Sequence, residues 1–481
     1  MKPGIVLARL NQLRLPSWRV SVVLVLAFFG FGLLLGNAAG SRVDYSAAAA
    51  RGPVKLVLPA AAPAPSDTTA EAETEVEPPA AAEEPTPEAA TPQVASSAPA
   101  ATPKQSSPAQ ANEGGAQGKG GESGAAPGAA AAKLPAIEHV FVIMLSDEPY
   151  ASVFGPESSA HYLAHTLEKR GELLARYYAV AHEQLPNGIA LLSGQGPTPA
   201  TAANCPTYTD LAPASAAGEG QVLGEGCVYP ATVATLPGQL EVKHQTWRAY
   251  VQGIGEAGGP AACAHPALGQ PDPTAAAPPS ARAYATFRNP FAYFHSLIDS
   301  PTCAQDDVGL AALDADLASA KRTPSLSYIV PDRCHDASPG PCPGGGAGGL
   351  PAADELLQQL VPKILASPAY KHGGLLVITT DEAPSSGELA DSSSCCAQPS
   401  FPNLPAAAAG TPALGPEGGG QVGALLLSPF VKGGVITQEQ YDHFSLLRTI
   451  EDLFGLKHLG YAGAAKANSL APSLFLAKPS G

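Results

Sequence analysis

Three stretches of this chain are apolar over most or all of their length and break off at polar residues. Residues 139–145 read HVFVIML, 375–380 read LLVITT and 423–431 read GALLLSPFV. A run without polar alternation reads as a strand buried on both faces, as in a parallel sheet covered by helices. Other stretches follow the helical period. In 160–170, Leu163 and Leu167 share a face; 352–365 is helix-like; in 443–454, Leu446, Leu447, Ile450 and Phe454 face inward. Strands alternating with helices predict an α/β architecture. In such sheets chemistry collects just past the carboxyl ends of the strands. Ser146-Asp147-Glu148 and Asp381-Glu382 stand at that place.

A further apolar run, residues 20–36, precedes all of this and extends to about 20 residues when 37–40 are added, about enough to cross a bilayer as a helix. Lys2, Arg9, Arg14 and Arg19 come before it, and the first acidic residue is Asp44. The positive-inside rule then puts residues 1–19 in the cytoplasm, a single span at 20–40 in the cell membrane, and the rest outside. Cleavage near Ala38 and Ala39 would instead release the chain as a secreted protein. Residues 46–133 hold no aromatic residue, His or Cys. Such a segment cannot bury enough apolar surface to offset its ordering entropy, so 41–133 is expected to be a disordered spacer rich in Ala, Pro and Glu. From residue 134 the composition changes, and 134–481 is expected to be one domain. Its size is ample for a large core. All eight cysteines lie beyond residue 200, without zinc-finger spacing, and an exported domain favours disulfides. Cys334 and Cys342 are close enough in sequence to close a short Pro- and Gly-rich loop. Cys395 and Cys396 are expected to bond to distant partners rather than to each other. A net charge of −15 with only 27 Lys and Arg excludes a nucleic-acid partner.

The motifs carry a resemblance. IEHVFVIMLSDEPYASVFG (137–155), HEQLPNGIALLSGQGPT (182–198), NPFAYF (289–294), PDRCHD (331–336), SPAYKHGGLLVITTDE (367–382), GGGQVGALLLSPFVK (418–432) and YDHFSLLRTIEDLFGLKHLG (441–460) follow one another in order. Together they resemble the phosphoesterase family of bacterial phospholipase C and acid phosphatase type, within the alkaline-phosphatase-like superfamily. The resemblance implies a mixed, mostly parallel sheet flanked by helices. It also implies phosphoester hydrolysis assisted by a divalent metal ion. Asp147, Asp381 and Glu382 then fall at metal positions. Gln184, Asn187, His335, Asp336 and His443 fall at catalytic ones.

Several residues depart from the family pattern. The first strand usually ends in Glu-Asn, where this chain has Ser146-Asp147, and Glu148 substitutes only if its loop rearranges. The second motif usually carries a hydroxyl nucleophile three residues before its Asn. Here Gln184 holds that place, and a carboxamide has no acidic proton to lose. Glu183 beside it should point the other way on an extended segment. Asn187 is kept and is expected to donate to a phosphoryl oxygen. His335-Asp336 is kept without the usual Gly-His-Asp after it. Relatives often have His before Asn-Pro-Phe; here Arg288 brings a positive charge suited to an oxyanion. His161 and His165 have the spacing of a metal pair but no third ligand, and read as surface residues.

Three functions are consistent with these residues. One is an active extracytoplasmic phosphoesterase. Another is a degenerate member that binds a phosphorylated ligand or a cell-wall polymer. The last is a structural envelope protein. The composition step near Lys133 yields a test. Limited proteolysis of the full chain should leave a resistant fragment that starts close to it; digestion of the whole chain to small peptides would refute a separate domain.

Overall fold

The computed structural model describes residues 134–275, 283–404, 417–464, 467–470 and 472–476. The expected cytoplasmic tail, membrane span and spacer lie outside them. The chain divides into two units, Met1–Gln117 and Gly118–Gly481, and everything described belongs to the second. Among the described residues no helix is long and apolar enough to cross a membrane.

The core is an eight-stranded sheet. Its strands are β1 (His139–Leu145), β2 (Glu172–Leu174), β3 (Trp247–Val251), β4 (Asp307–Gly309), β5 (Leu326–Val330), β6 (Gly374–Thr380), β7 (Ala424–Leu427) and β8 (Val435–Thr437), in the order β8-β2-β7-β6-β1-β5-β3-β4. β1 lies in the middle and pairs in parallel with β5 and β6. β3 and β4 extend that parallel block. β7 runs antiparallel to both β6 and β2, and β8 is parallel to β2. The sheet is therefore mixed and mostly parallel.

β1 explains its own apolar run. Val140, Val142 and Met144 join one hydrophobic core, while Phe141, Ile143 and Leu145 join another. Successive side chains leave opposite faces of a strand, so a strand with a core on each side has no polar face to show.

Helices cover both faces. Those that matter for the site are α1 (Tyr150–Phe154), α2 (Gln184–Ser193), α3 (Leu350–Ala366) and α4 (His443–Phe454). α4 has the bounds its apolar period predicts. Its first turn is closed by a reciprocal pair: the Asp442 carboxylate accepts from Ser445 N at 2.7 Å, and the Ser445 hydroxyl accepts from Asp442 N at 3.2 Å. At its other end Gly455 takes the left-handed conformation, φ 62°, that glycine adopts without strain.

Two expected elements differ. Residues 423–431 form only the short strand β7, because the chain turns at Ser428, whose hydroxyl accepts from Phe430 N. The helix expected over 160–170 is a π turn at Tyr162–Leu167 followed by a 3-10 turn at Glu168–Arg170. The Asp354 carboxylate of α3 accepts from Tyr162 N and Leu163 N at 2.9 Å each and holds its start. His161 and His165 are exposed there, as expected for surface residues.

Four disulfides take up all eight cysteines: Cys205–Cys227, Cys263–Cys303, Cys334–Cys342 and Cys395–Cys396. The short-loop pair is the expected one. The expectation of distant partners for Cys395 and Cys396 is corrected: the other six pair among themselves, which leaves these neighbours to each other. Peptide mapping without reductant should return these four pairs, with Cys395 and Cys396 linked inside one peptide. A bridge from either to a distant cysteine would overturn the assignment.

Candidate functional site

The parallel block brings three loops together at the carboxyl ends of β5, β1 and β6. β1 delivers Ser146, Asp147 and Glu148, β6 delivers Asp381 and Glu382, and the loop after β5 delivers Asp332, His335 and Asp336. Backbone bonds continue past the strands and stitch these loops to one another. Ser146 N donates to Asp336 O at 2.6 Å, Asp381 N to Leu145 O at 2.9 Å, and Glu148 N to Glu382 O at 3.1 Å. The rim is strained. Asp147 (φ 56°), Glu183 (φ 70°) and Ala337 (φ 83°) all take positive φ without being glycine. Such conformations persist only where the surroundings impose them, and they gather at functional sites.

Arg288 sits at the centre. Its Nη1 lies 3.2 Å from Asp336 Oδ2 and 3.3 Å from Asp381 Oδ2, and its Nη2 donates to Met144 O at 3.2 Å. One guanidinium therefore holds the ends of three adjacent strands. Its side chain is 3% exposed. Truncating one partner of a buried pair like this costs roughly 3–5 kcal/mol, because the other charge is left bare. The expected availability of Arg288 to an oxyanion is corrected: its Nη atoms are taken up by protein oxygens.

The α2 end of the site is built differently from its sequence expectation. The positive φ at Glu183 turns the chain sharply into α2, so Glu183 does not point away. Its N–H donates to Glu382 Oε2, and its Oε2 accepts from Asn204 Nδ2 at 2.6 Å. The Gln184 Oε1 accepts from the same Asn204 amide at 2.6 Å, and Asn204 Oδ1 accepts from Leu185 N. Asn204 thus caps the helix from 20 residues beyond Gln184, and no local signal in the sequence marks it.

Asn187 is committed elsewhere. Its Oδ1 accepts from Val180 N and Ala181 N, and its Nδ2 donates to Ala181 O and Glu183 O. The expected donation to a phosphoryl oxygen is corrected: all of this amide's capacity holds the 180–183 turn.

The two histidines expected at the site lie at its edges. His335 Nδ1 lies 2.7 Å from Asp332 Oδ1, to which it donates when protonated, and 3.0 Å from Gln252 Nε2. The Asp332 hydrogen bond, working against burial, raises its pKa. His443 is fully buried at the head of α4. Its Nε2 lies 3.0 Å from Asp381 O and its Nδ1 2.9 Å from Tyr177 Oη. A carbonyl only accepts, so Nε2 carries the proton and Tyr177 donates to Nδ1. Burial pushes its pKa down to about 4, which keeps the ring neutral. His443 positions the Asp381 backbone.

The resemblance implies a divalent metal ion, and an ion needs several ligand atoms converging on one point. Among the described residues, two groups have three such atoms within 4.8 Å of one another: Asp332–Cys334–His335 and Cys395–Cys396–Asp442. Their cysteines are in disulfides and offer no thiolate. The expected set of Asp147, Asp381 and Glu382 does not converge in this way. One oxygen each of Asp336 and Asp381 already faces the Arg288 guanidinium. As arranged, these residues do not fit a divalent ion.

The acids carry the cost of burial. Desolvation raises Asp147 to about 6 and Glu148 to about 7. It also raises Asp381 and Asp336 against the pull of Arg288, and Glu382 strongly. Each keeps its proton to a higher pH when folded than when unfolded. The folded state therefore loses ground as pH rises from about 4 through 6 to 7. His443 acts in the opposite sense between about 6.5 and 4, but it is one group against five. The full chain in detergent should melt at a higher temperature at pH 5 than at pH 8. A higher melting temperature at pH 8 would show these acids ionised and neutralised by something else.

Comparison with known proteins adds the family. No curated protein matches the chain. Among solved structures it is similar to an alkaline phosphatase superfamily protein from Vibrio parahaemolyticus, at 12% identity and a TM-score of 0.41, covering 71% of this chain and 72% of that one. It is also similar to a putative sulfatase from Bacteroides thetaiotaomicron, at 14% and 0.38, covering 70% and 74%. A third is the lipoteichoic acid synthase from Listeria monocytogenes, at 11% and 0.38, covering 69% and 76%. No chemistry is taken from likenesses this low. The model of the phosphoesterase family matches residues 154–457, which is well over half of the chain. This chain belongs to the phosphoesterase family.

Proposed function

We propose that this protein is an exported family member that keeps the fold but does not run phosphoryl chemistry at a useful rate. In this reading it serves as a binding domain held outside the cell membrane by its N-terminal helix and spacer. The observation that carries the reading is Gln184. It stands at the head of α2, where the family pattern has a hydroxyl, and its amide oxygen is engaged by Asn204. An amide cannot form the covalent phosphoryl intermediate that a hydroxyl forms.

Electrostatics support the same reading. Phosphoryl transfer needs cationic or donor groups aimed at the equatorial oxygens. Arg288 is buried and paired, and Asn187 is spent on the backbone. The partly exposed rim residues include Asp147, Glu148, Glu183 and Gln184, with His182, Arg333 and His335 beside them. With carboxyl and amide groups set beside these donors, such a rim suits the hydroxyl groups of a wall polymer, which both donate and accept.

The test is turnover of a chromogenic phosphoester by the full chain in detergent, with chelator or with added divalent ions. Turnover should stay at background in every arm. A rate on the order of 10 per second, typical of enzymes, would sink the proposal and show that the nucleophile lies elsewhere than at position 184.

A further inference from the structure

The mouth of this site and its floor make different demands. Asp336 and Asp381 lie fully buried at the ends of strands on either side of β1, a setting in which charged groups have lost their water. Two carboxylates in that setting need a cation between them. The cation present is a side chain of the chain itself. Arg288 reaches Asp336 Oδ2 at 3.2 Å and Asp381 Oδ2 at 3.3 Å with one nitrogen, and Met144 O at 3.2 Å with another.

We propose that Arg288 is the resident cation of this centre, occupying the place of a metal ion and excluding one. Three observations argue for it. First, the guanidinium touches the ends of β5, β1 and β6 together, the point at which a single central charge balances the most carboxylates. Second, the predicted metal set has no common meeting point, since neither group of converging ligand atoms among the described residues includes Asp147, Asp381 or Glu382. Third, like charges repel, and a divalent ion drawn to Asp381 would lie against the guanidinium without solvent to screen it.

The site's chemistry follows from the substitution. A guanidinium is permanently charged, has fixed donor directions and accepts no ligand in an open coordination position. It can brace carboxylates, but it cannot activate water as a metal ion does. In the role argued here Arg288 is a positioning residue.

The inference rests on the non-hydrolytic reading above but can fail separately from it. The test titrates the full chain in detergent with Mg2+, Mn2+, Ca2+ or Zn2+ and follows bound metal and melting temperature, alongside the variant Arg288→Ala. The wild type should take up no stoichiometric ion, and its melting temperature should not move. Arg288→Ala should melt lower and regain part of the loss with at least one divalent ion, which a merely structural arginine would not permit. One equivalent of tightly held metal in the wild type would overturn the proposal. So would an Arg288→Ala protein that folds but gains nothing from any ion. Should Arg288→Ala fold only with metal present, the proposal stands; should it not fold at all, metal uptake by the wild type decides alone. Metal uptake without turnover would break this inference and spare the functional reading, and metal-free turnover would do the reverse.

Discussion

Charge that has been taken out of water has to be answered nearby, and that requirement organises the carboxyl edge of this sheet. The parallel pairing of β5, β1 and β6 carries three acid-bearing loops to one place. Packing alone would not hold them there, because each buried carboxylate repels the next. The guanidinium of Arg288 offsets part of that repulsion, and protons held by the raised acids offset more. Backbone bonds between the loops then fix the spacing. His443 adds a neutral donor beneath Asp381, neutral because burial strips a charged ring of its water.

Much of the sheet was legible from hydrophobicity. β1 and β6 are flanked by core on both faces, so their sequences have no reason to alternate, and α4 has both a clean apolar stripe and a closing pair at its first turn. Other elements left weaker marks. β5, LSYIV, carries a buried Ser327 and is only five residues long. β3, WRAYV, includes Arg248, whose charge is answered by Asp316 at 2.6 Å, a residue far along the chain. α2 begins QLPNG, which reads as a turn. It is a helix because Pro186 falls in the first turn, where its missing N–H costs no bond. The start is also held by Asn204.

The site was legible in its acids but not in its balance. Asp147, Asp381 and Glu382 follow buried strands, and their position alone marks them. What a strand end meets is decided by loops that arrive from elsewhere, and no spacing rule reports that. Arg288 stood out as a charge, yet its partners lie 48 and 93 residues further on in sequence. Asn187 kept its identity and lost its expected role, since an amide can serve a ligand or its own backbone but not both. Glu183 departs from its expected direction because the chain takes a positive φ there, 70°, in place of an extended segment.

The disulfide between Cys334 and Cys342 encloses His335 and Asp336 within one small ring of chain. One of the two acids that hold Arg288 is therefore carried on a covalently closed loop, while the other follows a strand. The compartment in which this protein matures then becomes part of its architecture. In an oxidising space the loop is shut and Asp336 is presented where the guanidinium waits. In a reducing one the same sequence would have to find that arrangement against the freedom of an open loop. Export would thus be a condition for assembling the centre, in addition to being a route to where the protein works.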